Sequence, residues 1–125
     1  EEYAINQHCY STLSLRNIKA IDCSDTHVVF LDENGIVFSM GSNSYGQLGV
    51  TLQTEHTSIP QQVNLPQMKQ ISCGEEFTIC VTTNGSVYSF GRNFYGQLGL
   101  GTHKEYSAPQ QIDSLDNVDF VECGG

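Results

Sequence analysis

The nearest approach to a phosphate-binding loop in this chain is Gly96-Gln97-Leu98-Gly99-Leu100-Gly101-Thr102, whose outer glycines have the required spacing. Such a loop cradles phosphate with backbone N–H groups only when a lysine follows and a helix starts there. Thr102 stands in the lysine's place and no helical pattern follows, so a tight turn accounts for the glycines. His8 beside Cys9 is half of a metal-binding pair with no second half in view, and a solvated terminus explains it. His27, His56 and His103 are singletons without a nucleophile at meaningful spacing. Asn84-Gly85-Ser86 fits a glycosylation sequon, but without a signal peptide before it the same residues read as a hairpin turn and a deamidation-prone step. No catalytic, cofactor-binding or metal-ligating residue is expected.

The thiols give the same answer. Cys9, Cys23, Cys73, Cys80 and Cys123 are odd in number and form no C-x-x-C pair, so neither a zinc site nor a disulfide framework is indicated. Cys73 and Cys80 are close enough for a hairpin to set them opposite each other. A cross-link there is the alternative to free buried thiols, which behave as small hydrophobes. A reducing, intracellular compartment, cytoplasmic or nuclear, fits best.

Five basic residues face fourteen acidic ones, a formal net charge of −9. Binding nucleic acid requires Lys and Arg clustered on one face. Here the basic residues are scattered, whereas Asp22, Asp25, Asp32 and Glu33 form one acidic group and Asp113, Asp116, Asp119 and Glu122 another. Nucleic acid and anionic membrane are therefore not expected as partners. The excess serves solubility, or offers an acidic patch to a basic protein. No apolar run approaches the ~18 residues of a membrane span. The start, Glu-Glu-Tyr-Ala-Ile-Asn-Gln-His, lacks the basic and apolar regions of a secretory signal.

What must position these residues is a repeat. Cys23, Cys73 and Cys123 are spaced by fifty, and their surroundings recur with them. Lys19-Ala20-Ile21-Asp22-Cys23 answers to Lys69-Gln70-Ile71-Ser72-Cys73 and then to Asp119-Phe120-Val121-Glu122-Cys123. Asn34-Gly35-Ile36-Val37-Phe38-Ser39-Met40-Gly41 answers to Asn84-Gly85-Ser86-Val87-Tyr88-Ser89-Phe90-Gly91. Asn43-Ser44-Tyr45-Gly46-Gln47-Leu48-Gly49 answers to Asn93-Phe94-Tyr95-Gly96-Gln97-Leu98-Gly99, and Pro60-Gln61-Gln62-Val63 to Pro109-Gln110-Gln111-Ile112.

Within each unit the apolar period is two. Ala occurs only three times and charged residues make only 15%, which suits a turn-rich β chain. His27 to Leu31, Ile36 to Met40, Phe77 to Val81 and Ser86 to Phe90 read as short strands. Asn34-Gly35 and Asn84-Gly85 lie between them as hairpin turns with two positive-φ positions. Tyr88 and Phe90 share one face, as do Ile71 and Cys73 on the strand before. Each unit is thus an antiparallel sheet of about four strands, the last being the Pro-Gln-Gln stretch. The corner glycines let one sheet hand over to the next. Leu48 and Leu98 plug the corner, Gln47 and Gln97 satisfy loop backbone, and His27, where the second unit has Phe77, reads as packing.

The pattern Ile-x-Cys-Gly, Asn-Gly-x-Val-Tyr-Ser-Phe-Gly-x-Asn-x-Tyr-Gly-Gln-Leu-Gly, then Pro, resembles the repeat of the regulator of chromosome condensation family from Asn17 to Gly125. The signature positions are Cys23, Gly35, Gly41, Asn43, Gly46, Gln47, Leu48 and Gly49 in the first unit. In the second they are Cys73, Gly74, Gly85, Gly91, Asn93, Gly96, Gln97, Leu98 and Gly99. The first unit departs from the pattern at Ser24, Asp25, Met40 and Val50-Thr51. The resemblance implies an all-β chain of four-stranded β-propeller blades, in a ring that has seven in the family. Residues 1–16 are then the tail of a preceding repeat, 17–66 and 67–116 two blade units, and 117–125 the start of another.

A propeller closes with about four to eight blades, so an incomplete arc of about two and a half is expected, its apolar flanks covered by a parent chain or by other copies. Two functions follow from the resemblance. One is a non-catalytic scaffold that binds a protein partner through loops on a rigid ring. The other is guanine-nucleotide exchange on a small GTPase, which is population shift and not bond chemistry. The positions that match are structural, so no partner-binding residue carries over and the scaffold is favoured. Chromatin binding is disfavoured by charge.

Overall fold

The computed structural model of the chain describes residues 17–93, 96–102, 104 and 106–112. The expectations for His8, Cys9, His103, Cys123 and residues 1–16 and 117–125 fall outside this set. Among the described residues eight strands follow one another: β1 (Ile18–Cys23), β2 (His27–Asp32), β3 (Val37–Ser42), β4 (His56–Gln62), β5 (Met68–Cys73), β6 (Phe77–Thr82), β7 (Val87–Gly91) and β8 (Tyr106–Gln111). They form two four-stranded antiparallel sheets in sequence order, β1-β2-β3-β4 and β5-β6-β7-β8. The two sheets repeat each other's register, with His27 opposite Gly41 in the first and Phe77 opposite Gly91 in the second. These are two propeller blades, an incomplete arc.

Alternation along the strands decides what fills the space between the blades. Val29, Leu31 and Val37 point from the first blade, and Ile71, Cys73, Cys80 and Phe90 from the second. With Val63 from the connection and Met68 at the start of β5 they form one buried cluster, against which Tyr88 packs half-buried. The opposite face of the first blade gathers Phe30 with half-buried Ile21, Val28, Phe38 and Met40, and that of the second gathers Val81, Val87 and Ile112 with Ile79. β5 packs against both β1 and β2, so the sheets converge at their first strands.

One sequence expectation is corrected here. The Asn-Gly turns have one positive-φ residue each, not two: Gly35 at 84° and Gly85 at 94°, whereas Asn34 and Asn84 do not reach that region. The Gly35 N–H donates to Asp32 O and the Asp32 N–H to Ile36 O, so three residues close the hairpin and only the third is left-handed. The second hairpin matches, through Gly85 N–H to Thr82 O and Thr82 N–H to Ser86 O. Asp32 Oδ1 also accepts the N–H groups of Asn34 and Ile36, which fixes this turn over the two-residue form. For the cysteines the structure agrees with buried thiols over a cross-link: Cys80 lies opposite Ile71 and Cys73 opposite Thr78, so the two are not paired across the ladder. Cys23, Cys73 and Cys80 are in the thiol form.

Candidate functional site

The loops β1–β2, β3–β4, β5–β6 and β7–β8 all leave the same end of the arc, because successive strands are antiparallel. Each β3–β4 type loop is shaped by a corner that begins with an asparagine. Asn43 Oδ1 accepts the Leu48 N–H at 3.0 Å, and its Nδ2 donates to Val50 O at 2.9 Å. Asn93 repeats this, with Oδ1 accepting Leu98 N–H at 3.0 Å and Nδ2 donating to Thr102 O and Lys104 O. The buried hydroxyls of Ser39 and Ser89 donate to Leu48 O and Leu98 O from below. Leu48 and Leu98 are fully buried. The sequence pointed to glutamine as the group that satisfies this loop. Asparagine does most of it, while Gln47 Oε1 takes one N–H, that of Tyr45.

The corner glycines hold this shape and admit the neighbour. Gly41, Gly46 and Gly49, and their counterparts Gly91, Gly96 and Gly99, have φ between 72° and 116°. A Cβ on Gly46 would stand 2.6 Å from Ser107 Cα, so the corner of the first blade lies directly on β8 of the second. Gly74 has an ordinary φ and a different duty. A Cβ there would meet the Phe77 ring at 2.1 Å, so the missing side chain makes room for that ring.

A chain of polar contacts crosses the junction beside this corner. Thr78 Oγ1 donates to Gln47 O at 2.8 Å and lies 2.8 Å from His27 Nε2. Its single proton goes to the carbonyl, so it accepts from the imidazole, which is therefore the Nε2–H tautomer. His27 Nδ1 then accepts a hydroxyl proton, with Ser24 Oγ at 3.0 Å and Thr26 Oγ1 at 3.3 Å. Those two hydroxyls also reach Glu75 O across the junction, at 3.0 and 2.5 Å. Burial lowers the His27 pKa to about 4 against an opposing pull from Asp22. The sequence reading of this position as packing missed its hydrogen bonds. The signal was Thr78 next to Phe77, a hydroxyl with no visible duty in its own unit.

Arg92, which follows β7, stacks its guanidinium 4.9 Å from the centroid of Tyr45 in the first blade and pairs through Nη1 with Glu76 Oε1. An open cleft of about 410 Å³ beside it is lined by Asn43, Tyr45, Leu52, Glu55 and Ser107 among others. Asp25, Glu55 and Glu75 are exposed at this end, while Lys19 and Lys69 lie near the strand starts at the other. Among the described residues no group of three His, Cys, Asp or Glu could hold a metal, and no helix is long and apolar enough to cross a membrane.

Blades keyed to one another by corner glycines and buried polar contacts define a β-propeller repeat protein. The regulator of chromosome condensation (RCC1) repeat matches residues 34–81 and 84–125, and a second description of the same repeat matches 18–47 and 68–97. The chain belongs to this family. It is 40% identical over 65 residues to the secretion-regulating guanine nucleotide exchange factor of Bos taurus, a match covering 52% of this chain and 14% of that protein. It is 36% identical over 50 residues to the serine/threonine-protein kinase Nek9 of Mus musculus, covering 40% of this chain and 5% of that one. The chain thus spans a small fraction of these relatives. Prp20p of Saccharomyces cerevisiae, described with its binding to Gsp1p and histones, superposes with a TM-score of 0.76 at 22% identity, over 86% of this chain and 29% of its own.

Proposed function

We propose that the chain is part of a non-catalytic protein-interaction scaffold, a propeller whose loop-bearing end contacts a protein partner. The observation that carries this reading is the corner geometry: Asn43, Asn93 and the left-handed glycines hold loops rigidly at one end, where Asp25, Glu55 and Glu75 stand in solvent. Loops on a rigid frame are what binding modules use, and acidic side chains favour a partner with a basic face. The repeat's occurrence in a protein named as a kinase agrees with a module attached to other activities. On this reading the remaining blades come from a parent chain or other copies, units 17–66 and 67–116 are the blades, and the protein is intracellular, cytoplasmic or nuclear, with no nucleic acid as partner.

A second reading, guanine-nucleotide exchange on a small GTPase, is favoured by the relative named as an exchange factor. The test for both is release of labelled GDP from a panel of small GTPases by the whole protein, together with direct binding to each. Binding without acceleration supports the scaffold. Acceleration that Asp25→Lys with Glu75→Lys reduces supports exchange and overturns the scaffold-only reading. Salt-sensitive binding of DNA would instead revive chromatin.

A further inference from the structure

The two blades meet through packed apolar side chains and one buried imidazole. His27 is 1% exposed, and its ring carries hydrogen bonds on both nitrogens. On one side is Thr78 of the second blade, itself fully buried and committed to Gln47 O of the first. On the other side Ser24 and Thr26 stand between the ring and Glu75 O of the second blade. Every bond of this set except those from Ser24 and Thr26 to the ring passes from one blade to the other.

The proton count decides how the set responds to acid. With the ring neutral, Nε2–H donates to Thr78, one hydroxyl donates to Nδ1 and the other to Glu75 O. A second proton on the ring would occupy Nδ1 and turn both hydroxyls toward Glu75 O. The hydrogen bonds would survive that rearrangement, but a full cation would be left in a site closed to water, and burying an uncompensated charge is costly. The charged groups on the surrounding elements do not relieve it. Asp22 on β1 pulls toward protonation, yet its carboxylate already accepts the N–H groups of Cys23 and Cys73. Glu76 is paired with Arg92, and Asp25 and Glu75 have their side chains in solvent.

We propose that His27 is a proton-operated lock on the junction between these two blades: neutral, it ties them together, and protonated, it parts them while each sheet keeps its own ladder. The second blade has no equivalent, since Phe77 stands at the matching position with its ring over Gly74. The sensitivity therefore belongs to one junction and not to the repeat as such.

The experiment is amide exchange by NMR on the full chain between pH 7 and 4, corrected for intrinsic rates. Cys73 N–H, which crosses to Asp22 Oδ2 at 2.8 Å, reports the junction, and Thr82 N–H, bonded to Ser86 O at 2.8 Å, reports the sheet. Below the free-imidazole range, protection of Cys73 is expected to fall by about tenfold per pH unit while Thr82 lags behind. In His27→Gln, whose amide keeps a neutral donor, that separation disappears. Equal loss at both amides, or the same pH response in His27→Gln, overturns the lock. Ring ¹⁵N shifts of the wild-type chain test it independently of any variant's folding. An Nε2–H tautomer held neutral well below pH 6.5 supports it, and an ordinary titration or the Nδ1–H tautomer overturns it.

Discussion

The Asp22 carboxylate at the end of β1 accepts the backbone N–H of Cys73 at the end of β5, through Oδ2 at 2.8 Å. Its Oδ1 takes the N–H of Cys23 at 3.0 Å, so one side chain satisfies donors on two blades. Asp22→Ala strands the Cys73 donor at a half-buried site, and a stranded donor costs about 1–3 kcal/mol. Asp22→Asn keeps one oxygen and loses less. Urea denaturation of both variants checks the order, and no loss in Asp22→Ala would show that the cross-blade bond contributes nothing.

The corner glycines make a graded prediction. Gly46 and Gly101 have almost the same φ, 80° and 77°. A Cβ on Gly46 would run into Ser107 Cα at 2.6 Å, while one on Gly101 would meet nothing within 4 Å. Gly101→Ala is therefore expected to cost only the left-handed strain, about 1 kcal/mol. Gly46→Ala adds a collision with backbone that cannot rotate away, for a total of about 3 kcal/mol or more. Thermal melts of the two variants, run side by side, separate strain from blade contact.

Gly74 and Phe77 form a coupled pair whose counterpart in the first blade is Ser24 and His27. Gly74→Ser alone forces a side chain into the space of the Phe77 ring and is expected to destabilise by about 1–3 kcal/mol. Phe77→His added to it imports the first blade's combination and recovers most of that loss. A double-mutant cycle should give a coupling of about 1 kcal/mol or more, and additive effects would refute the packing explanation.

How much of this was legible in the sequence depends on whether a residue's duty lies inside its own unit. The strands, their pairing order and the buried face of Phe90 follow from period-two patterning and from a fifty-residue recurrence, which report contacts within one blade. The Asn-Gly dipeptides marked the hairpins correctly, but the turn form was settled by Asp32, whose carboxylate caps the loop from the strand before. Gln47 looked like the corner's donor and acceptor because it recurs beside the glycines, as Asn43 also does. Only the geometry shows that the asparagine side chain reaches both Leu48 and Val50. His27 was misread as packing alone because its partner Thr78 is fifty-one residues away in the chain. A side-chain contact between repeats leaves only a faint mark in either one, here the hydroxyl of Thr78 with no duty in its own unit. The same reason hides the cross-blade contacts of Asp22 with Cys73 and of Arg92 with Tyr45.

Thr78 and the acidity of the medium should act on stability through the same imidazole. Thr78→Val leaves the His27 Nε2–H and Gln47 O without their partner in a fully buried site and is expected to cost about 1–3 kcal/mol, with Thr78→Ser recovering most of it. The pH dependence has a definite sign. The His27 pKa falls from 6.5 when unfolded to about 4 when folded, because burial disfavours the cation. Between those values the unfolded chain binds more protons, so stability is full above pH 6.5, declines as the pH falls, and loses nothing further from this group below pH 4. At 1.36 kcal/mol for each unit of difference, the full loss is about 3 kcal/mol. His27→Gln removes the titration, so its stability should be flatter across that window than that of the wild-type chain. Denaturation midpoints measured at half-unit steps from pH 7 to 4 decide the matter, since parallel curves for the two proteins would assign the acid sensitivity to other groups.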